Sequence, residues 1–288
     1  MGGNHYFMKN YHALTSVLRI NPGVALVLAA ILPFHWATAN PATINLGTAD
    51  GFAVLAGSGI TITGPTTITG DIGTYPTPAI TGLGTLTLTG TNHADDAVTQ
   101  LAKTDLVTAY NDAAGRAYDV SYVGGFDLVG LTLFSGVYND ASSLFLSGTL
   151  TLDAQGDPDA VWIFQAGSTL ITASSSVVSL INGAMACNVF WQVGSSATLG
   201  TNSDFTGTIL ALTDITLTTG ATVDGRVLAR NGAVTMDTNT ISLPDCSNDS
   251  TPAHVPDTGS TVLLLGSALL GLITLGKRFR FQTASLAS

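Results

Sequence analysis

The side chains best suited to chemistry in this chain are its carboxylates, and all 19 are aspartates, because the sequence contains no glutamate. Hydrolysis or elimination on a polysaccharide would need two carboxylates at a set separation, or one beside a base or a cationic charge stabiliser. Asp157-Pro158-Asp159 is the closest pairing, but it has no convincing partner and reads as a turn. Arg226 and Arg230 lie close in sequence, where an ion pair at the end of a repeat explains them equally well. His93 and His254 stand alone. Cys187 and Cys246 belong to no CxxC or HxxxH pattern. In an oxidising compartment one disulfide between them is the economical reading, with a metal pair as the alternative. Trp162 and Trp191 could stack on sugar rings, yet they occupy matching positions inside apolar runs, which favours the core. No catalytic constellation emerges, and neither a cofactor nor a metal is expected.

Charge narrows the partners. Between Asn40 and Val255 the only cations are Lys103, Arg116, Arg226 and Arg230, against 18 aspartates, for a net charge near −14. Polyanion binding displaces counterions with clustered cations, so a nucleic-acid partner is excluded. Threonine occurs 41 times and glycine 32 times, a β-branched and turn-rich composition.

Both ends carry processing patterns and not fold. Lys9 and Arg19 precede an apolar run from Val24 to Phe34, and Ala37-Thr38-Ala39 supplies the small residues of a cleavage site, so residues 1–39 read as a secretory signal peptide. Residues 251–288 read as a tail with a short transmembrane helix over 261–276 and a basic stop, Lys277-Arg278-Phe279-Arg280. A permanent anchor and a removable signal are both open on these residues. The folded domain is expected over 40–250.

That domain repeats itself. Val54–Ile72 aligns with Ile209–Val227 with a single insertion. Val161–Leu170, Val189–Leu199, Ile209–Leu217 and Val227–Met236 share an apolar run, a small-residue turn and an alternating strand, with Gly136–Leu144 a weaker copy. The last three units start about 18 residues apart, the length of one solenoid coil of three short strands and three turns. The expectation is a mainly β chain, a β-helix of triangular section, with a longer turn near Asn182–Cys187. Ala94–Tyr118 breaks the pattern: Ala97, Leu101, Val107 or Thr108, and Ala114 recur at helical spacing behind Asp95-Asp96. One long α-helix over 94–117 follows, with Leu101, Leu106 and Tyr110 packed on the solenoid face carrying Trp162, Phe164, Phe190 and Trp191.

Alternate strand residues point to opposite sides, so aligned coils build columns. Ile60, Leu170, Leu199, Leu217 and Met236 fall in inward columns, while Thr61, Ser143, Thr169, Thr198, Thr216 and Thr235 form an outward one that Thr63 and Thr218 continue two residues along. A second outward set is Thr67, Thr69, Thr206 and Thr222, interrupted by Asp204 and Asp224. Such a face repeats at about 6.6 Å along a strand and about 4.8 Å between coils, close to the distances between waters in ice. Threonine offers an ordering methyl, an anchoring hydroxyl and a χ1 already stiff before binding. Simple strand propensity is the competing explanation of the same threonines.

LGTADGFAVLAGSGIT (46–61), TAYNDAAGRA (108–117), LDAQGDPDAVWIFQ (152–165), INGAMACNVFWQVGSSATLGT (181–201) and ILALTDITLTTGATVDGRVLARNGAVT (209–235) resemble the microbial ice-binding (antifreeze) proteins, which have a discontinuous right-handed β-solenoid and one long helix alongside. The resemblance implies a non-catalytic protein that adsorbs to the ice crystal surface through one flat face and restrains growth or recrystallisation. Thr63-Gly64-Pro65-Thr66 fits a Thr-Ala/Gly-x-Thr/Asn pattern on the ice face of some members, which implies Thr63 and Thr66 as contacts. A monomer is expected. The segment His254-Val255-Pro256-Asp257-Thr258-Gly259-Ser260, with the apolar run Val262–Leu275 and the basic stop, resembles a VPDSG variant of the bacterial PEP-CTERM sorting signal. It implies passing attachment to the membrane, removal by an exosortase-like processing peptidase, and release to the cell surface or extracellular matrix. A surface adhesin or matrix solenoid is the alternative function, and a polysaccharide-active β-helix enzyme the remaining class.

Overall fold

The computed structural model describes residues 40–246, so the expected signal peptide, sorting motif and transmembrane segment lie outside the described residues. The described chain winds into coils of short strands, and equivalent strands stack in parallel into three long faces. The first face runs from Asn92–Ala94 through Asp71–Thr74, Phe52–Ala56, Thr222–Ala229, Asp204–Ala211, Val189–Val193, Trp162–Ala166 and Gly136–Asp140 to Val120–Tyr122. The second runs from Ile80–Thr81 through Gly59–Thr63, Ala233–Asp237, Ile215–Leu217, Ala197–Leu199, Leu170–Thr172 and Leu144–Leu146 to Phe126–Asp127. The third includes Leu86–Thr89, Thr66–Thr69, Thr240–Ser242, Val177–Ile181 and Thr149–Asp153.

Spatial order is not chain order. Phe52–Ala56 pairs with Thr222–Ala229, Val54 opposite Val227, so the first coil of the chain stacks on one of its last. The opening coils therefore form one end of the solenoid, and the chain must travel to the far end to begin winding back. Nine strands on the first face make eight steps, roughly 38 Å at about 4.8 Å each. The helix Ala97–Gly115 covers roughly 28 Å of that distance.

Coils of 18 residues hold where Trp191 faces Ile209 and Ile209 faces Val227. Elsewhere they are longer: Tyr138, Phe164 and Trp191 are successive partners 26 and 27 residues apart. The turn expected near Asn182–Cys187 accounts for part of that length, running from the strand Val177–Ile181 into a 3-10 turn, Ala186–Asn188. Thr222–Ala229 and Asp204–Ala211 each bend from the third face to the first. Their register-paired glycines, Gly225 and Gly207, sit at the bend with φ +153° and +110°. A Cβ on Gly225 would lie 2.0 Å from the Gly207 carbonyl oxygen, so only glycine lets two coils turn the same corner in contact.

Inside, aromatic rings stack along the axis: Tyr122 on Tyr138, Tyr138 on Phe164, and Phe164 on Trp191 at 4.0 Å between centroids. Trp162 and Trp191 are fully buried, and their indole N–H groups donate to Leu133 O and Thr206 O. These are core residues, not a sugar platform. One expectation is corrected here. Strand alternation turns Trp162, Phe164 and Trp191 inward, so of that group only Phe190 faces the helix, beside Leu55, Ile163, Leu210 and Leu228.

The helix begins at Ala97 because Asp96 caps it, its carboxylate accepting from Thr99 N at 2.8 Å. Asn92–Ala94 is a strand, which trims the expected 94–117. Ala102, Leu106, Ala109, Tyr110 and Ala113 form the buried stripe, whereas Leu101, expected in it, is 52 % exposed, one position off the stripe. Polar contacts rivet the helix along its length. Thr48 donates through both its N–H and its hydroxyl to Asp105 (2.8 and 2.6 Å). Gln192 donates to the Tyr110 hydroxyl, and Gln165 donates to Ala113 O and Arg116 O.

Lys103 is buried, its ammonium donating to Ala229 O and Arg230 O. Burial, and then the nearby Arg230 charge, lower its pKa from 10.5 to about 8. Between those values the unfolded chain holds a proton that the folded chain has released, so raising the pH across that window stabilises the fold. The stability of the wild type relative to Lys103→Met should accordingly rise from pH 8 to 10.5, by up to about 3 kcal/mol, in urea unfolding at each pH. A difference independent of pH would contradict burial of the ammonium.

Candidate functional site

On the second face Thr81, Thr61, Thr235, Thr216 and Thr198 fall in register on five successive strands. The residues flanking Thr61, Thr235, Thr216 and Thr198, such as Ile60 and Ile62, Val234 and Met236, or Ile215 and Leu217, are buried and hold the backbone in place. The hydroxyls of Thr61, Thr198, Thr216 and Thr235 meet no hydrogen-bond partner among the described residues; that of Thr81 reaches Ile60 O at 3.5 Å. The column then continues as Ile171, Phe145 and Asp127.

Ser143 and Thr169, expected in this column, lie beside it. Leu170 pairs with Ala197 and not with Leu199, which sets Thr169 two residues back, next to Ser143 with hydroxyl oxygens 2.8 Å apart. A two-residue slip preserves the in-out alternation, so the apolar pattern carried no sign of it. Thr63 and Thr218 flank the column on its other side, with Asp237 between them in register with Thr63. Their hydroxyls are already committed, donating to Met236 O (3.0 Å) and Leu199 O (2.8 Å).

The aspartates at the margins bend into turns. Asp237 accepts from the Thr219 and Thr238 hydroxyls, which hold its carboxyl below the usual range, and Asp214 accepts from Ala233 N. Thr66, implied as a surface contact, is 1 % exposed: it turns into the corner after Gly64-Pro65, and its hydroxyl oxygen accepts from Asn239 N. That expectation is corrected, because the second position of the motif faces the core here.

The third face carries a column of Thr87, Thr67, Thr240 and Thr222 beside one of Thr89, Thr69, Ser242 and Asp224. Charge breaks this array. Asp204 faces Thr222 and accepts its hydroxyl at 2.9 Å. Burial, and then repulsion from Asp204, push the Asp224 carboxyl above its ordinary range. Thr206 is buried and donates to Val178 O, so of the second expected set only Thr67 and Thr69 present open hydroxyls. Thr81, Thr87, Thr89 and Thr240 escaped the sequence reading. The alternation in TLTLT over 85–89 was the available signal for two of them.

Among the remaining expected groups, Arg226 pairs with Asp50 at 2.6 Å, and Arg230 lies over the Tyr110 ring at 5.4 Å. His93 bridges Asp96 and Asp71 (2.6 and 3.5 Å) beside the helix cap. Asp157 accepts from Asn40 and from the backbone of Asp159, within its turn. Cys187 and Cys246 are neighbouring free thiols. Burial, and then the contact with Cys246, push the Cys187 thiol up to about 12.

Among the described residues, stacked parallel coils in a discontinuous order with one helix along the outside define a β-solenoid class, here carrying a column of threonines on its second face. The model of ice-binding-like proteins matches residues 54–242, and the chain belongs to that family. The VPDSG-CTERM motif matches residues 254–279, beyond the described residues. An ice-binding protein of Nostoc sp. (strain HG1) is 47 % identical over 268 residues, covering 92 % of this chain and 99 % of that one. One from Colwellia sp. is 37 % identical, covering 80 % and 95 %. Among solved structures, an ice-binding protein from an Antarctic biological consortium superposes with TM-score 0.70 at 50 % identity, covering 72 % of this chain and 94 % of that one. That of the ascomycete Antarctomyces psychrotrophicus gives 0.69 at 43 % identity, covering 70 % and 99 %. The fold class and family expected from the sequence are thereby confirmed.

The two threonine environments differ measurably. Thr218→Val removes a bonded hydroxyl and should lower unfolding free energy by about 1 kcal/mol. Thr216→Val removes an open one and should change it by less than about 0.5 kcal/mol. Equal losses in urea unfolding would contradict the distinction.

Proposed function

We propose that the chain adsorbs to ice through its second face, with Thr61, Thr81, Thr198, Thr216 and Thr235 as the contacts, and thereby inhibits ice growth and recrystallisation. The observation that carries this reading is the unbroken threonine column on five strands, with open hydroxyls at Thr61, Thr198, Thr216 and Thr235. Parallel strands place its members about 4.8 Å apart, and β-branching fixes each methyl and hydroxyl before contact. A spacing fixed in advance can match a lattice with little loss of side-chain entropy. The ice-binding relatives support the same ligand. The third face is the weaker surface, because Asp204 and Asp224 hold charge and hydration in the middle of its columns.

Delivery follows from the ends of the chain. Residues 1–39 direct export. The motif Val255-Pro256-Asp257-Thr258-Gly259 and the segment 261–276 hold the exported chain at the membrane until an exosortase-like peptidase releases it to the cell surface. The protein acts as a monomer without turnover, since adsorption needs only one face.

Thr216→Tyr, at the centre of the column, should abolish ice shaping and recrystallisation inhibition while leaving Tm unchanged, and Thr67→Tyr on the third face should leave both intact. The reverse pattern would move the site to the third face. Replacing Ile171 and Phe145 with threonine extends the column from five strands to seven. That variant should halt ice-grain growth at a lower concentration than the wild type, and an unchanged threshold would contradict a contact that runs along the column.

A further inference from the structure

The last described residues make a strap over the place where the two ends of the chain meet. Thr240–Ser242 lies between Thr222–Ala229 and Thr66–Thr69, joining the late coils to the early ones on the third face. Leu243 then donates its N–H to Thr69 O and packs close to Gly70. Three residues further on, Cys246 meets Cys187, which sits in the 3-10 turn Ala186–Asn188. Both cysteines line one cavity of about 660 Å³, whose wall also includes Arg226, Asp50 and Phe190. Cys246 is exposed and Cys187 half-buried.

We propose that Cys187 and Cys246 form an intramolecular disulfide once the chain meets an oxidant, and that this bond staples the seam between the early and late coils. The oxidant is a low-molecular-weight disulfide. The exposed Cys246 thiolate attacks one of its sulfurs, forming a mixed disulfide and expelling one thiolate. Cys187 then loses its proton to solvent and attacks the Cys246 sulfur, expelling the second thiol. Two protein thiols are oxidised and one small disulfide is reduced to two thiols. Partial burial of Cys187 slows the second step.

The bond would close a loop from residue 187 to residue 246, removing much of the freedom of the unfolded chain. It would also tie down the strand whose departure would expose Thr66–Thr69 and split the third face. A pull applied on the C-terminal side of Cys246 would then load a covalent bond instead of the hydrogen bonds of a three-residue strand.

The full chain, purified under reducing conditions, is incubated with oxidised glutathione. The expected product has lost two hydrogens in intact mass, retains no glutathione, and yields one cross-linked peptide joining Cys187 to Cys246. Its Tm should rise by roughly 5–15 °C and fall back on reduction. Glutathione retained on either cysteine, two thiols still titratable, or a bond without a rise in Tm would overturn the proposal. A variant carrying Cys187→Ala and Cys246→Ala provides a second check. Its Tm should equal that of the reduced wild type, and a Tm matching the oxidised protein would overturn it.

Discussion

The structure depends on one pairing, that of the first coil of the chain against a late one. Val54 lies opposite Val227 and Leu55 opposite Leu228 on the first face, and all five residues of Gly59–Thr63 are in register with Ala233–Asp237 on the second. The threonine column crosses this seam. Thr61 and Thr81 come from the start of the chain, and Thr198, Thr216 and Thr235 from its end. A register error of one residue would turn Thr61 inward and Ile60 outward, so burial of the neighbouring apolar residues is also what aligns the hydroxyls.

The helix follows from the same constraint. A chain that must begin winding at the far end needs a connector about as long as the solenoid, and an α-helix covers most of that distance while satisfying its own backbone. It also closes the first face. The outward apolar residues Leu55, Ile163, Phe190, Leu210 and Leu228 would otherwise be an exposed patch, and the stripe from Ala102 to Ala113 covers them. With one face covered and another interrupted by aspartates, the second face is left with a threonine column unbroken over five strands.

The sequence made the coil repeat legible because three successive 18-residue units carry the same apolar and turn residues. It made the helix legible because apolar spacing changed from two to three or four. Two features stayed hidden. The pairing of Leu170 with Ala197 depends on turn geometry and coil length, and a slip of two leaves every apolar residue on its proper side. Which hydroxyls are open was equally invisible. Thr216 and Thr218 look alike in ITLTT, yet one faces water and the other bonds Leu199 O. Thr66 and Thr206 were lost to corners and neighbouring strands for the same reason: alternation predicts direction along a strand, not what a bend or an adjoining coil places over it.

The central claim, that the second face holds the molecule on ice, is tested most directly by partitioning. A single ice crystal is grown slowly from a dilute solution of the labelled protein, and the protein frozen into the crystal is measured against that left in the liquid. The account predicts enrichment in the ice for the wild type and exclusion of a variant with Thr198, Thr216 and Thr235 all replaced by Tyr. Exclusion of the wild type, or equal enrichment of the two proteins, would contradict it.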